Sequence, residues 1–422
     1  DHLQRDRAAQ HQRRLQRQVL DGGAGSDTLT LARYTTARSV LLSGVGSTDG
    51  FNGSEPSVTQ GFRNIDAVTG GQAADLLTGL NVAATWSLGD ANQYTASGKN
   101  LAFTSFSTLV GGSANDAFVL NNGTTSGSLE LVGNGGANTA DVRGSFAVTG
   151  DLTLRGIQTI TDNSGGTTLT AVTLNIYDAT TAIGESGKPL FTRVQNLLIK
   201  NGGNVFLTEK DGVNIIGLDA GTGRFQITVQ NGNLTIGLLE GDGEGVVEVL
   251  QGNVVDGNGN LQNIVASHAV LIARAGVVGT RDEKLDVEVP SGQFIDVTTS
   301  KGLAGAFVDA STGSRLRVDG REFLIGPAGV TTPESLATNN TLLVDVSGVD
   351  WASLDPTVTL LDCLEPCVRL PADQDEGEEL AKVPSPMPKQ AAEAPKMLLI
   401  RTSFGWKMVP LVPVAETAAL RE

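Results

Sequence analysis

A short phrase recurs along the first third of this chain and constrains what it can fold into more than any other feature. It reads Gly22-Gly23-Ala24-Gly25-Ser26-Asp27-Thr28-Leu29, then Gly70-Gly71-Gln72-Ala73-Ala74-Asp75-Leu76-Leu77, then Gly111-Gly112-Ser113-Ala114-Asn115-Asp116-Ala117-Phe118. A looser copy runs Gly135-Gly136-Ala137-Asn138-Thr139-Ala140-Asp141-Val142. In the first three, Asp27, Asp75 and Asp116 each stand four residues after the second glycine, with an apolar residue close behind. Recurrence of this kind marks stacked supersecondary units, because one unit alone cannot bury its apolar side. Gly-Gly supplies a tight corner, and the aspartates are read as caps that bond to backbone N–H groups of that corner.

Composition agrees with many short strands and many corners. Of 422 residues, 53 are Gly and only 14 are Pro, and aromatic residues make up 5%. The net charge of −16 argues against a nucleic-acid partner, which calls for a basic face, and reads most simply as a solubility device. Cys363 and Cys367 are the two cysteines, so no disulfide framework is expected, only a local loop closed by this pair or two free thiols. No apolar run is long enough to span a membrane. Residues 1–20 are Arg- and Gln-rich and match nothing downstream; they are read as a basic segment at a fragment boundary, with any secretion signal lying upstream.

Residues 21–165 read as a Gly/Asp-rich repeat of strand, corner and strand. The second glycines are 48, 41 and 24 residues apart, taken as irregular multiples of a coil of roughly twenty residues in which some coils lack the marked corner. Residues 166–345 read as a shaft with clearer alternation. Val172, Leu174 and Ile176 alternate with Thr173, Asn175 and Tyr177, and Phe225, Ile227 and Val229 alternate with Gln226 and Thr228. Leu234, Ile236 and Leu238 continue the rhythm after the corner Asn231-Gly232-Asn233. Period-two patterning means half-buried strands. A second similarity links Ile183-Gly184-Glu185 to Val278-Gly279-Thr280, 95 residues later, as a duplicated block. Residues 346–370 read as a terminal coil. Residues 371–422 read as an acidic, Pro-rich, poorly ordered linker whose apolar end, around Met397 to Ile400 and Trp406 to Val409, suits one hairpin or docking on the last coil. The expected fold is therefore all-β, a right-handed parallel β-helix, with an antiparallel sandwich as the runner-up.

Chemistry is less legible. Gly184-Glu185-Ser186-Gly187-Lys188-Pro189 departs from a phosphate loop at Ala182 and Pro189, and reads as a surface corner. His268 lies in a strand with no second His nearby and reads as a stacked or capping residue. No spaced carboxylate pair and no nucleophile elbow stands out, so no catalytic residue is assigned.

The phrase at Gly22 to Leu29 resembles the calcium-binding nonapeptide of repeats-in-toxin proteins, Gly-Gly-x-Gly-x-Asp-x-apolar-x, degraded at Ala73 and Ala114 in later copies. The wider stretches from Phe62 to Gly112 and from Ile183 to Gly212 are similar to repeats in large bacterial exoproteins of the filamentous-haemagglutinin-like adhesin kind. That resemblance implies a secreted or surface-exposed structural shaft without catalysis, facing a host-cell, matrix or glycan surface. It carries over no ligand-binding residue. A β-helical polysaccharide lyase or hydrolase and a calcium-binding secreted protein are the competing readings. In the last, Asp27, Asp75 and Asp116 would supply the ligands. Such sites need consecutive turns to share an ion, whereas these phrases are isolated, so no cofactor is the favoured expectation.

Overall fold

The computed structural model describes residues 19–325 together with the strands Met397–Thr402 and Gly405–Pro410. Apart from one short 3-10 turn at Gly302–Gly305, every described element is a strand. Thirty-five strands join in one continuous hydrogen-bonded system, a β-solenoid of about nine turns. Among the described residues no helix is long and apolar enough to cross a membrane. The runner-up sandwich is excluded by the pairing: strands meet the strand one coil away, in parallel. Thr139 lies opposite Thr159, Val205 opposite Phe225, and Phe225 opposite Gly245, a step of twenty residues each time.

Three sheets line the solenoid. The first runs from Ala84–Leu88 through Asp116–Leu120 and Thr139–Val142 to Phe294–Thr299 and Arg315–Val318. The second runs from Ser39–Val45 through Leu76–Thr78 and Thr108–Val110 to Leu152–Arg155. A narrower third comprises Gly123–Thr125 and Phe146–Val148. Alternation explains which residues enter the interior: Phe225, Ile227 and Val229 are buried while Gln226 and Thr228 face outward. The buried set is mostly Leu, Ile and Val from Leu29 to Ile325, each worth about 1.5–3 kcal/mol when withdrawn from water. Rings are concentrated near the N-terminal end. Trp86 stacks on Phe118 of the next coil at 6.0 Å and meets Tyr94 at 4.5 Å. The buried Tyr94 hydroxyl accepts the Leu80 N–H at 2.8 Å, and burial pushes its pKa up to about 12.

Three expectations need correcting. The 48- and 41-residue spacings are not multiples of a twenty-residue coil; each is one long coil, carrying an antiparallel excursion, plus one further side. Phe51–Glu55 pairs with both Ser39–Val45 and Val58–Ile65, and Gln93–Ala96 pairs with both Ala84–Leu88 and Lys99–Thr104. The step from Thr108 back to Leu76 is therefore 32 residues, against 22 from Glu130 to Thr108. Val172, taken as an interior residue, is 37% exposed. Within the nine-residue strand Leu169–Tyr177 the chain passes from the third sheet to the second, and Val172 and Thr173 both face outward at the corner between them. Leu238 is likewise outward, and Leu239 takes the interior place.

The cause at Leu238 is a bulge one coil earlier. Leu197 pairs with Ile215 but Leu198 pairs with Gly217, so Ile216 is an extra residue and stands 51% exposed. Bulges of this kind re-aim the side chains that follow. The strand Val213–Asp219 then stacks on two short strands, Leu234–Ile236 and Leu239–Glu240, separated by Gly237 and Leu238. A side chain at Gly237 would strike the Ile216 carbonyl.

Strands pair straight across the composition change at residues 165 and 166. Met397–Thr402 and Gly405–Pro410 form the antiparallel hairpin expected near the C-terminus.

Candidate functional site

The glycine corners place the three aspartates in three different sheets. Asp27 precedes Thr28–Thr30, Asp75 precedes Leu76–Thr78, and Asp116 opens Asp116–Leu120. These strands stack on Ala67–Thr69, Thr108–Val110 and Thr139–Val142 respectively, so successive phrases advance by one coil and one side of the solenoid. The arrangement brings no two of the three aspartates onto one stack. Among the described residues no group of three or more His, Cys, Asp or Glu side chains is disposed to hold a metal ion.

Two of the three act as corner caps. The Gly71 N–H donates to the Asp75 carboxylate, which also accepts the Arg38 N–H at 2.7 Å. The Gly112 N–H donates to Asp116 at 2.8 Å. Burial of Asp116 outweighs this bond and pushes its pKa up to about 6, and its second oxygen, Oδ1, has no partner. Asp27 differs, although its phrase keeps every glycine of the nonapeptide. Asp21 accepts the Gly23 N–H and Asp49 accepts the Gly25 N–H at 2.9 Å, leaving Asp27 Oδ2 and Asp49 Oδ1 unpartnered. In the fourth copy the stacked register puts Asn138, not Asp141, above Asp116. The Asn138 amide donates to the Gly135 and Gly156 carbonyls and its Oδ1 accepts the Asp116 N–H, tying three coils together. The copy is as long as its counterpart, since Val132 lies opposite Val110 and Thr139 opposite Ala117, so Gly133 and not Gly135 matches Gly111; the Gly135-Gly136 pair drew the sequence match out of register.

Two further buried polar residues, missed in sequence, sit where sheets merge or divide. Glu209 ends the strand Asn204–Glu209, where the third sheet stops being separate. Its fully buried carboxylate accepts the Thr192 hydroxyl at 2.7 Å and the backbone N–H groups of Val194 and Lys210 at 3.2 and 3.0 Å. Burial nevertheless wins and pushes its pKa up to about 7. Asn263, also fully buried, fills the gap that opens where the sheet divides. Its Nδ2 faces the Ile236 carbonyl at 2.9 Å and the Asp256 and Asn258 side-chain oxygens at 2.8 Å, while its Oδ1 accepts the Asp286 N–H at 2.8 Å. Period-two alternation has no place for either residue, which is why sequence patterning passed over them.

The outer face of the first sheet carries one row of convergent charge. His268 is neither stacked nor a cap: it is a third exposed and bridges neighbouring coils. Its Nδ1 faces Glu244 Oε1 at 3.2 Å, its Nε2 faces Asp296 Oδ2 at 2.7 Å, and Asp296 Oδ1 meets Arg317 at 3.1 Å. Arg317 and Arg315 both lie over the Phe294 ring, at 4.3 and 4.8 Å. Arg274 pairs with Glu248 at 2.5 Å and Arg315 pairs with Glu322. Register explains the row, since Glu244 lies opposite His268 and Asp296 opposite Arg317. Residues some 24 apart in the chain become neighbours only through the stack.

Gly184–Pro189 is a tight surface turn, with Glu185 and Lys188 exchanging backbone hydrogen bonds at 3.0 and 2.9 Å. Cys363 and Cys367 lie outside the described residues. Comparison with protein-family profiles, curated proteins and solved structures returned no match.

Proposed function

We propose that this chain is a structural and adhesive shaft segment of a secreted or surface-exposed bacterial exoprotein, of the filamentous-haemagglutinin-like kind. The observation that supports this most is the single interior running unbroken from Leu29 to Ile325, around which every described coil is closed. A solenoid of this construction grows in one dimension and presents long outer faces, which suits a spacer that meets a host-cell, matrix or glycan surface. The row around His268 fits the same role as a set of cross-coil staples, because each of its carboxylates already has a side-chain partner on a neighbouring coil.

That row also favours the second reading, a carbohydrate-cleaving β-helix. Glu244 and Asp296 stand on either side of His268 with Arg317 beside them, and paired carboxylates are what glycoside cleavage uses. One experiment separates the two. The purified chain is applied to immobilised glycans, matrix proteins and cell surfaces, with product analysis of every saccharide. Retention without turnover is expected. Saccharide products that disappear in Glu244→Gln or Asp296→Asn would replace the shaft reading with the enzymatic one.

A further inference from the structure

The two long faces of the solenoid treat negative charge in opposite ways. On the first sheet, Glu248 and Asp296 each meet an arginine from a neighbouring coil, and Glu244 faces His268. On the face that continues the second sheet, Asp219 lies opposite Glu240 on consecutive coils, and Asp286 opposite Asp309 two coils further on. Glu288 follows the same stack through Val265. None of these five carboxylates forms an ion pair with a described side chain. Two of them are crowded by like charge instead: burial and then Asp219 hold the Glu240 carboxyl above its ordinary range. Burial, then Asp309 and Asp256, push Asp286 up to about 6, with only Lys284 acting against them.

Beside these carboxylates runs an apolar strip centred on the bulge. Ile216 is the extruded residue, half exposed; Leu238 is turned outward on the next coil; and Leu198 lies over Gly217 on the coil before. A fold that leaves Ile216 exposed and Leu198 and Leu238 half-buried on its outer surface, next to carboxylates without an ion-pair partner among the described side chains, has a face matched to a ligand that is both apolar and cationic. A second copy of this chain is disfavoured as the occupant, because the same five carboxylates would confront one another across the contact.

We propose that this face, Leu198, Ile216 and Leu238 bordered by Asp219, Glu240 and Asp286, docks a cationic amphipathic polypeptide segment, one that alternates Lys or Arg with aliphatic residues. The strip takes up the apolar side chains while the carboxylates pair with the flanking cations. The inference deepens the adhesive reading above and rests on it for the role of the contact.

A short synthetic peptide of alternating Lys and Leu, labelled for fluorescence anisotropy, tests this against the full chain. Binding is expected, weakened about tenfold or more by Ile216→Ser and, separately, by the double variant Glu240→Gln and Asp286→Asn. Glu248→Gln on the opposite face is expected to leave binding unchanged. The proposal is overturned if oligolysine of the same charge binds as well, if Ile216→Ser binds as tightly as the parent chain, or if no peptide binds. It is overturned equally if sedimentation shows self-association that Ile216→Ser abolishes, which would assign the strip to a second copy. Surface retention in the earlier experiment, together with peptide binding that ignores these substitutions, would sink this inference and leave the adhesive reading standing. Loss of surface retention with peptide binding intact would do the reverse.

Discussion

Glu209 concentrates a conflict between burial and hydrogen bonding within one side chain. Its donors favour the carboxylate, yet withdrawal from water raises its pKa from the ordinary 4.5 to about 7. The folded state therefore holds this proton more tightly than the unfolded state. The resulting stabilisation is fully present below about pH 4.5 and is lost as pH rises through about 7, an effect on the order of a few kcal/mol. Asp116, pushed up to about 6 by burial, acts in the same direction over a lower window. Urea unfolding of the full chain at pH 5 and at pH 8 should show lower stability at pH 8. Glu209→Gln should flatten that difference, and an unchanged pH profile would contradict the assignment. At the same scale, Asp75 and Asp116 already use a carboxylate oxygen on their own glycine N–H groups, and Asp27 lies in a third stack. Calorimetric titration with calcium is accordingly expected to give no binding tighter than about a millimolar, the weak end for extracellular modules.

At the scale of elements, the duplicated block is a recurring turn rather than a recurring place in the fold. Gly184 and Gly279 both have φ of +66°, and a side chain at either would strike a carbonyl of the next coil, that of Phe206 or of Phe307. The residues that follow close similar short turns, Glu185 with Lys188 and Thr280 with Glu283. Yet Ile183 belongs to the first sheet, opposite Val205, whereas Val278 bridges Val254 and Ala306 on another side. Gly184→Ala and Gly279→Ala should each cost about 2–4 kcal/mol, combining left-handed backbone strain with a forced contact. Gly187→Ala, at φ +87° but with open space around it, should cost only about 1 kcal/mol. Denaturant midpoints of the three variants check this, and equal costs would show that the close approach is unimportant.

The whole molecule behaves as a stack in which each coil is stabilised by its neighbours. Residues 225–244 make one complete coil: Phe225 lies opposite both Val205 and Gly245, and Leu234 lies opposite both Val213 and Val254. Excising these residues brings Val205 opposite Gly245 and Val213 opposite Val254 with every interior side chain still facing inward. The shortened chain should fold, with a β-sheet circular dichroism spectrum and a slightly smaller dependence of stability on urea. Removing only residues 225–234 deletes the strand Phe225–Val229 with the corner after it, leaves half a coil, and should abolish cooperative unfolding. If both deletions behave alike, the coils are not the repeating energetic unit.

What the residues alone determined follows from local chemistry. Period-two alternation, Gly-Gly and Asn-Gly corners and the near absence of helical periodicity each depend on a few neighbouring residues, and together they specified an all-β stack of coils. The capping role of Asp75 and Asp116 was legible for the same reason, since donor and acceptor are four residues apart. The stack decided everything that depends on register. The hairpin excursions lengthen two coils, the bulge at Ile216 reverses Leu238 and Leu239, and Asn138 replaces an aspartate above Asp116. His268 gains its carboxylates, and Glu240 its crowding by Asp219, only because strands some twenty residues apart lie side by side. A one-residue shift in pairing exchanges inside for outside, and that shift is settled by contacts between coils, which no local pattern in the chain encodes.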